Sequence, residues 1–248
     1  MSRATDKDAV EVVKELVAHG EELEDYFLAR AIDDKAEKVA RWVLEQRPGD
    51  ATREGLFAQA CATMSIEFLE LLLANKAKVG DRATGWSALA LATREKRADV
   101  IGWLVKKQAP VRGWLLGAAA ADDVATAKRA LKAGDELDVV DERGKTPLMI
   151  AARANARAVA AWLVAELVGE VVPMKAPPAK STGKSRAKPK PKAKRPSRGP
   201  LDAADIEGDT AIAHATIAGH MEMVQLLADA GAHLDAAMAK IADGAYRK

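Results

Sequence analysis

Apolar residues recur along the chain in short runs that repeat at a nearly constant interval. Three pentapeptides carry a tryptophan at the same place: VARWV at 39–43, VIGWL at 100–104 and VAAWL at 159–163. Related runs lie between and after them, namely FLELL at 68–72, AKRAL at 127–131 and MVQLL at 223–227. Most steps between runs span 26 to 33 residues. This period predicts an array of similar structural units.

Each unit contains a helix of small residues followed by a helix with a leucine or tryptophan stripe. The first helices include ALALATRE, LLGAAAA, PLMIAARA and AIAHATIA, and a turn often follows the second helix. Neither helix hides its apolar face alone, so we expect neighbouring units to stack and share a continuous core. Trp42, Trp103 and Trp162 are therefore interpreted as packing residues, whereas the pattern does not decide the role of Trp114.

One step in the array is twice as long as the others, because a basic segment interrupts it. Residues 173–200, PMKAPPAKSTGKSRAKPKPKAKRPSRGP, hold ten lysines or arginines, seven prolines and no acid. Removing the segment and its flanks restores a normal step, which indicates an insertion between two consecutive repeats. Its few apolar side chains cannot offset a backbone ordering cost of roughly 1–2 kcal/mol per residue, so we expect disorder.

The basic segment has two interpretations. It is either an arm that binds nucleic acid or another polyanion, or a solvated loop without a dedicated partner. No aromatic residue is present for base stacking, so any nucleic-acid binding would be driven by phosphate contacts and depend steeply on salt. The candidate polyanion-binding residues are Lys184, Arg186, Lys188, Lys190, Lys192, Lys194 and Arg195.

The net charge of +2 hides an uneven distribution of charge along the chain. Outside the ten basic residues of the segment, the chain carries 28 basic and 36 acidic residues.

The amino terminus lacks the apolar stretch of a secretory signal, and the most apolar window, at 159–172, is too short to span a bilayer. A single cysteine, Cys61, fits a reducing compartment. We expect a cytoplasmic protein, and we expect it to be a monomer.

The sequence contains no recognisable catalytic or cofactor-binding pattern. The four histidines form no pair with metal-ligand spacing, and the glycines form neither a phosphate loop nor a dinucleotide fingerprint. Cys61 lies in the apolar run AQACATMS, where a buried thiol is more common than a reactive one. The sequence therefore predicts no enzyme, no catalytic residues, no cofactor and no metal site.

Two segments carry a family resemblance. DERGKTPLMIAARANARAVAAWLVAEL at 141–167 and DIEGDTAIAHATIAGHMEMVQLLADAGAHLD at 205–235 closely resemble ankyrin repeats. GWSALALATREKRADVIGWLVKKQAPV at 85–111 is a fair match, whereas in the unit from 112 the run GWLLGAA replaces the family's usual TPLHLAA. Glycine is missing from the turns at Lys76 and Gln108, where we expect local irregularity.

The resemblance implies an all-α fold: an ankyrin-repeat solenoid of stacked helix pairs with short hairpin loops, interrupted by the disordered basic insertion. It further implies a single array, with an N-terminal cap at 4–20 and a C-terminal cap at 236–248. The predicted repeats between them are 22–48, 53–79, 81–111, 112–140, 141–168 and 203–235.

The family also implies a non-enzymatic module that binds a protein partner through the concave face of the stack. Trp86 is the leading candidate contact, because tryptophan and arginine are frequent interface hot spots. The full set of candidate partner-binding residues is Trp86, Arg94, Glu142, Arg143, Lys145, Arg153, Glu207 and Asp209. Two alternatives stay open: an adaptor whose insertion tethers a polyanion, and an immunity or inhibitor protein that blocks an enzyme.

Overall fold

The computed structural model describes residues 10–169 and 200–233. Within these residues the chain forms thirteen α-helices, one two-stranded ribbon and two 3-10 turns, Pro48–Thr52 and Pro200–Asp202. The helices are α1 (Val10–Ala18), α2 (Phe27–Asp33), α3 (Glu37–Gln46), α4 (Leu56–Thr63), α5 (Ile66–Ala74), α6 (Ala88–Arg94), α7 (Ala98–Lys106), α8 (Trp114–Ala121), α9 (Val124–Lys132), α10 (Pro147–Ala154), α11 (Arg157–Gly169), α12 (Ala211–Ile217) and α13 (Met221–Asp229).

Helices α2 to α13 form six consecutive pairs, numbered here as pair 1 (α2 and α3) to pair 6 (α12 and α13). The first or inner helices contact one another in succession from α2 to α12, and α1 packs against α3 beside pair 1. Helix α12 packs directly on α10, although residues 170–199 separate their pairs along the chain. One continuous apolar core therefore runs through all six pairs.

The inner helices approach closely because their contact faces are made of small residues. Gly117 of α8 shows the limit: a Cβ atom added there would lie 2.1 Å from the carbonyl oxygen of Ala90 in α6. The outer helices carry the larger side chains, including Phe68, Leu72 and Leu104, which are fully buried between layers. This division of small and large residues is the one that the sequence predicts.

Three of the inner helices are preceded by a hairpin loop, called a finger here and numbered by its pair. Finger 3 spans residues 82–87, finger 5 spans 141–146 and finger 6 spans 205–210. Finger 3 contains the antiparallel ribbon, in which Arg82 pairs with Ser87 and Ala83 with Trp86. Fingers 5 and 6 are adjacent, since the amide of Ile206 donates to the carbonyl of Arg143 at 3.1 Å.

Each finger ends in a residue that caps the inner helix. Ser87, Thr146 and Thr210 accept a hydrogen bond from the backbone amide three residues further on, which satisfies a donor at the helix start. Gly144 and Gly208 take the positive φ angles, 73° and 80°, that the hairpin requires and that glycine adopts without strain.

The turns at Lys76 and Gln108 are more regular than the missing glycines predict. Both residues adopt positive φ angles, 69° and 56°, in the same left-handed region as the glycines of other turns. A side chain in that region costs about 1–2 kcal/mol of strain, and the packing of the stack offsets this cost. The fold thus keeps the turn conformation even where the favourable residue is absent.

Polar contacts between neighbouring pairs fix the spacing of the stack. Arg97, which precedes α7, donates to the carbonyl of Met64 at the end of α4, 2.9 Å away. His220 occupies the matching place before α13, and its Nε2 lies 3.1 Å from the carbonyl oxygen of Arg153. A histidine in pair 6 and an arginine in pair 3 thus make equivalent contacts with the backbone of the preceding pair.

Candidate functional site

Fingers and inner helices together form the face on which the sequence places its candidate contacts. A cleft of about 670 Å³ opens there between finger 3 and pair 5. Five of the eight candidates line it: Trp86, Glu142, Arg143, Lys145 and Arg153. A sixth, Arg94, stands beside Trp86, with its guanidinium carbon 5.5 Å from the centre of the indole ring. The structure therefore brings six predicted residues to one place.

The cleft exists because pair 4 has no finger. The chain passes from Gln108 to Gly113 in a short loop and begins α8 at Trp114, so fingers 3 and 5 meet across the gap. Their contact is tight: a Cβ added at Gly85 would lie 2.5 Å from the backbone nitrogen of Glu142. The only sequence signal for this arrangement is the run GWLLGAA in place of a finger and its TPLHLAA helix.

Trp86 forms the aromatic wall of the cleft. Its indole is partly exposed: it packs against the core and also lines the cleft. The stacked Arg94 holds the ring by a cation–π contact and also pairs with Glu95, Nε to Oε1, at 2.9 Å. The ring is therefore supported in a fixed orientation while part of its surface stays available.

Three cations lie on the opposite wall without ion pairs. Within residues 10–169 and 200–233, the side chains of Arg143, Lys145 and Arg153 make no salt bridge or side-chain hydrogen bond. Arg143 and Arg153 are exposed, whereas Lys145 is only 8% exposed and still lines the cleft. The neighbouring Asp141 is occupied, because its Oδ1 accepts the amides of Arg143 and Lys145 at 2.9 Å each.

Four lining residues were not among the predicted contacts, namely Thr84, Asp141, Ile150 and Ala154. Thr84 lies at the tip of finger 3 with a positive φ of 50°, and Ile150 belongs to the inner helix α10. Ile150 is buried to the same extent as an ordinary core residue, so its position in the sequence pattern gives no indication of the cleft. Only the meeting of fingers 3 and 5 places these residues at one site.

Finger 6 lies beyond the cleft, and only one of its two predicted contact residues is exposed. Glu207 is exposed, but Asp209 is only 4% exposed and offers almost no surface to a partner. Asp205 holds the finger: its Oδ1 accepts the amides of Glu207 and Asp209, and its Oδ2 lies 2.9 Å from Nε2 of the buried His214. Burial raises the pKa of the Asp205 carboxyl, but the hydrogen bonds from the Asp209 amide and from His214 lower it by more. The pKa of Asp205 therefore lies below its usual value.

The carboxylates of Asp205, Glu207 and Asp209 can each bring one oxygen within 4.8 Å of the others. We assign no cation to them, because Asp205 Oδ1 already accepts two backbone amides of the finger and its Oδ2 is hydrogen-bonded to His214 of α12. Cys61 is buried in α4, and burial raises the pKa of its thiol, which disfavours the reactive thiolate.

The tryptophans divide into two groups. Trp42, Trp103 and Trp162 pack against the core but are only partly buried, on the outer helices. Trp114, which the sequence left undecided, is 2% exposed, and its indole nitrogen donates to Thr93 Oγ1 at 2.7 Å. Trp114 is therefore a core residue, which joins pair 4 to pair 3.

The predicted polyanion-binding residues, Lys184 to Arg195, lie outside the described residues, as do the C-terminal cap 236–248 and the first residues of the N-terminal cap. Among the helices that the structure describes, none has the length and apolar character needed to cross a membrane.

Comparison with known families identifies the class of protein. A model of three ankyrin repeats matches residues 115–238, which is half of the chain. The chain therefore belongs to the ankyrin repeat family, as the resemblance of residues 141–167 and 205–235 predicts. Comparison with curated proteins gave no match. Ankyrin repeats generally mediate protein–protein interaction and are typically not enzymes.

Proposed function

We propose that this chain is a non-enzymatic binding module that holds one protein partner in the cleft between finger 3 and pair 5. The observation that carries this proposal is the cleft itself, lined by a partly exposed tryptophan and by three cations that have no ion pair with any described residue. Tryptophan and arginine in a concave, well-supported setting are the residues that contribute most to protein interfaces. Backbone hydrogen bonds hold both fingers in place, so we expect only a small ordering cost to oppose binding.

The first experiment identifies the partner and then measures it. The full chain, tagged at one end, is used to co-purify proteins from its source cells, and each candidate is then purified and titrated against the chain. We expect Trp86→Ala to weaken the affinity by about 2 kcal/mol, roughly thirtyfold, while the melting temperature stays nearly unchanged.

Val105→Ala is the matched control, because Val105 is an exposed apolar residue on the outer helix α7, away from the cleft. It should leave the affinity unchanged. If Trp86→Ala binds the partner as tightly as the parent chain but unfolds at a much lower temperature, Trp86 is a packing residue and the proposed site is wrong.

A second candidate function rests on the charge of the inserted segment. Ten basic residues without an acid would attract nucleic acid or an acidic surface, and the chain would then act as an adaptor with two binding regions. Deletion of residues 173–200 should abolish binding of the full chain to duplex DNA at low salt. Equal, negligible retention of both proteins would exclude this function.

An enzyme inhibitor would use the same cleft and differ only in its partner. In that case the co-purified partner is an enzyme, and its activity falls in proportion to the added chain until one equivalent is reached. Trp86→Ala should raise the amount of chain required. A partner whose activity is unaffected leaves simple binding as the function.

A further inference from the structure

The side chain of Lys145 is the least expected feature of the cleft. It is more than nine-tenths buried, it lines the cleft, and no acceptor among the described residues binds its Nζ atom. The Nζ atom is not among the enclosed polar atoms that lack a partner, so the ammonium group reaches the cleft while the rest of the residue is enclosed. Lys145 thus holds a positive charge at the cleft, with no acceptor from the described residues.

The charges around Lys145 favour an anionic ligand. Arg143 and Arg153 line the same cleft and are also without ion pairs in the described part of the chain. The acids nearby do not compensate: Asp141 Oδ1 is bound by two backbone amides, and Glu142 makes no salt bridge with Lys145. Three cations therefore line the cleft beside one acid, Glu142, that makes no salt bridge with any described residue.

The form of the cleft favours a carboxylate over a phosphate chain. Asp141 and Glu142 both belong to the lining, so a multiply charged polyanion passing through the cleft would be repelled by them. A single carboxylate reaches the cations with much less repulsion. The indole of Trp86 on the facing wall offers an apolar surface to the residue beside that carboxylate.

From this arrangement we infer that the cleft recognises an aspartate or glutamate side chain of the partner protein. Its carboxylate pairs with Lys145, with Arg143 and Arg153 beside it, and a neighbouring apolar side chain lies against Trp86. This inference rests on the proposed function, since it specifies the chemistry of the partner at the same site. Removing the charge of Lys145 should then change which sequences the chain binds, as well as how tightly.

The test is a selection of short random peptides displayed on phage, carried out against the immobilised full-length chain. The parent chain should enrich peptides that share an aspartate or glutamate at one fixed position next to an aromatic or aliphatic residue. Lys145→Met keeps the length of the side chain and removes its charge, so the preference for an acid should be lost. Lys132→Met, at an exposed lysine of the outer helix α9, should retain it.

A synthetic peptide from the selection then measures the contact directly. Replacing its acid by the matching amide should weaken binding to the parent chain about tenfold or more, but should have little effect on Lys145→Met. Thermal melting checks that Lys145→Met is folded. If it is not, Lys145→Arg replaces it, and this variant should keep the preference for an acid because the charge is retained.

The possible failures are distinguishable. Peptides that require Trp86 but share no acid, or keep the acid equally in Lys145→Met, would overturn this inference and leave the proposed function intact. Enriched peptides that bind Trp86→Ala as well as the parent chain would overturn both. Binding of single-stranded DNA that is lost in Lys145→Met would show that the cleft takes phosphates, and would also overturn the inference.

Discussion

Pairs 4 and 5 are neighbours in the stack with the same two-helix form, but they begin in different ways. Pair 5 starts with a finger, a capping threonine and Pro147 at the first helical position. Pair 4 starts with a short loop and Gly113, which has no side chain to cap the helix. Both inner helices nevertheless pack in the same column. The difference shows that stacking depends on small residues in the helices, whereas the fingers supply the exposed residues of the proposed binding face.

In pair 4 the missing cap is replaced by a residue from the turn that follows α9. Asp135 accepts the amide of Gly113 at 2.9 Å through Oδ1 and the amide of Leu115 at 2.7 Å through Oδ2. Burial raises the pKa of the Asp135 carboxyl, although these amides oppose the shift. In pair 5 the local Thr146 caps the helix, because its Oγ1 accepts a hydrogen bond from the amide of Met149. A helix start can thus be stabilised locally or from a distant turn.

The largest expected effect tests the close contact of pairs 3 and 4. Gly117→Val should destabilise the protein by more than about 4 kcal/mol, because the added carbons collide with the backbone of Ala90. Gly102→Val is the matched control, since Gly102 lies in α7 with nothing within 4 Å of an added Cβ. It should change stability by no more than about 0.5 kcal/mol. Equal denaturation midpoints for the two variants would contradict the close packing of α6 and α8.

The next effect separates the buried tryptophan of pair 4 from the repeated ones on the outer helices. Trp114→Ala should cost about 3–5 kcal/mol, because the ring is enclosed and its indole nitrogen is bonded to Thr93. Trp103→Ala should cost only about 2 kcal/mol, because its ring remains partly exposed. Chemical denaturation measures both. A larger loss for Trp103 would place the main packing contribution on the outer helices instead.

A smaller effect compares the two ways of capping an inner helix. Asp135→Ala leaves two buried amides without acceptors and should cost about 2–3 kcal/mol. Thr146→Ala removes one local cap and should cost about 1 kcal/mol. Urea titrations of the two variants and the parent chain give the difference. If the two costs are equal, the distant carboxylate is no more important to pair 4 than an ordinary cap is to pair 5.

The smallest effect tests whether fingers 3 and 5 support each other. Gly85→Ala and Gly208→Ala both place an alanine at a φ of 80°, at a shared cost of about 1–2 kcal/mol. Of the two, only Gly85 faces another backbone, that of Glu142. Gly85→Ala should therefore be about 1 kcal/mol less stable than Gly208→Ala, because of overpacking. Peptides selected on the cleft should also bind Gly85→Ala more weakly. Identical stabilities would mean that the fingers are not in contact in solution.

Much of the fold is predictable because its signals are local. The apolar stripes, the capping Ser87, Thr146 and Thr210, and the hairpin Gly144 and Gly208 all act over a few residues of chain. The candidate site is predictable in part: Trp86 and the cations follow from their places in the repeat, whereas Ile150 does not. The roles of Trp114 and Asp135 depend on partners in other pairs, and no local pattern reveals them.

The sequence by itself determined that this chain is an array of stacked helix pairs in the ankyrin repeat family, because each repeat carries its own helix, turn and capping residues. Only the tertiary structure decided which residues surround the cleft of the proposed site. The cleft requires Gly85 to meet Glu142 across a pair without a finger, and it holds Lys145 with no acceptor among the described residues. Such contacts join residues far apart in the chain, so they exist only once the pairs have stacked.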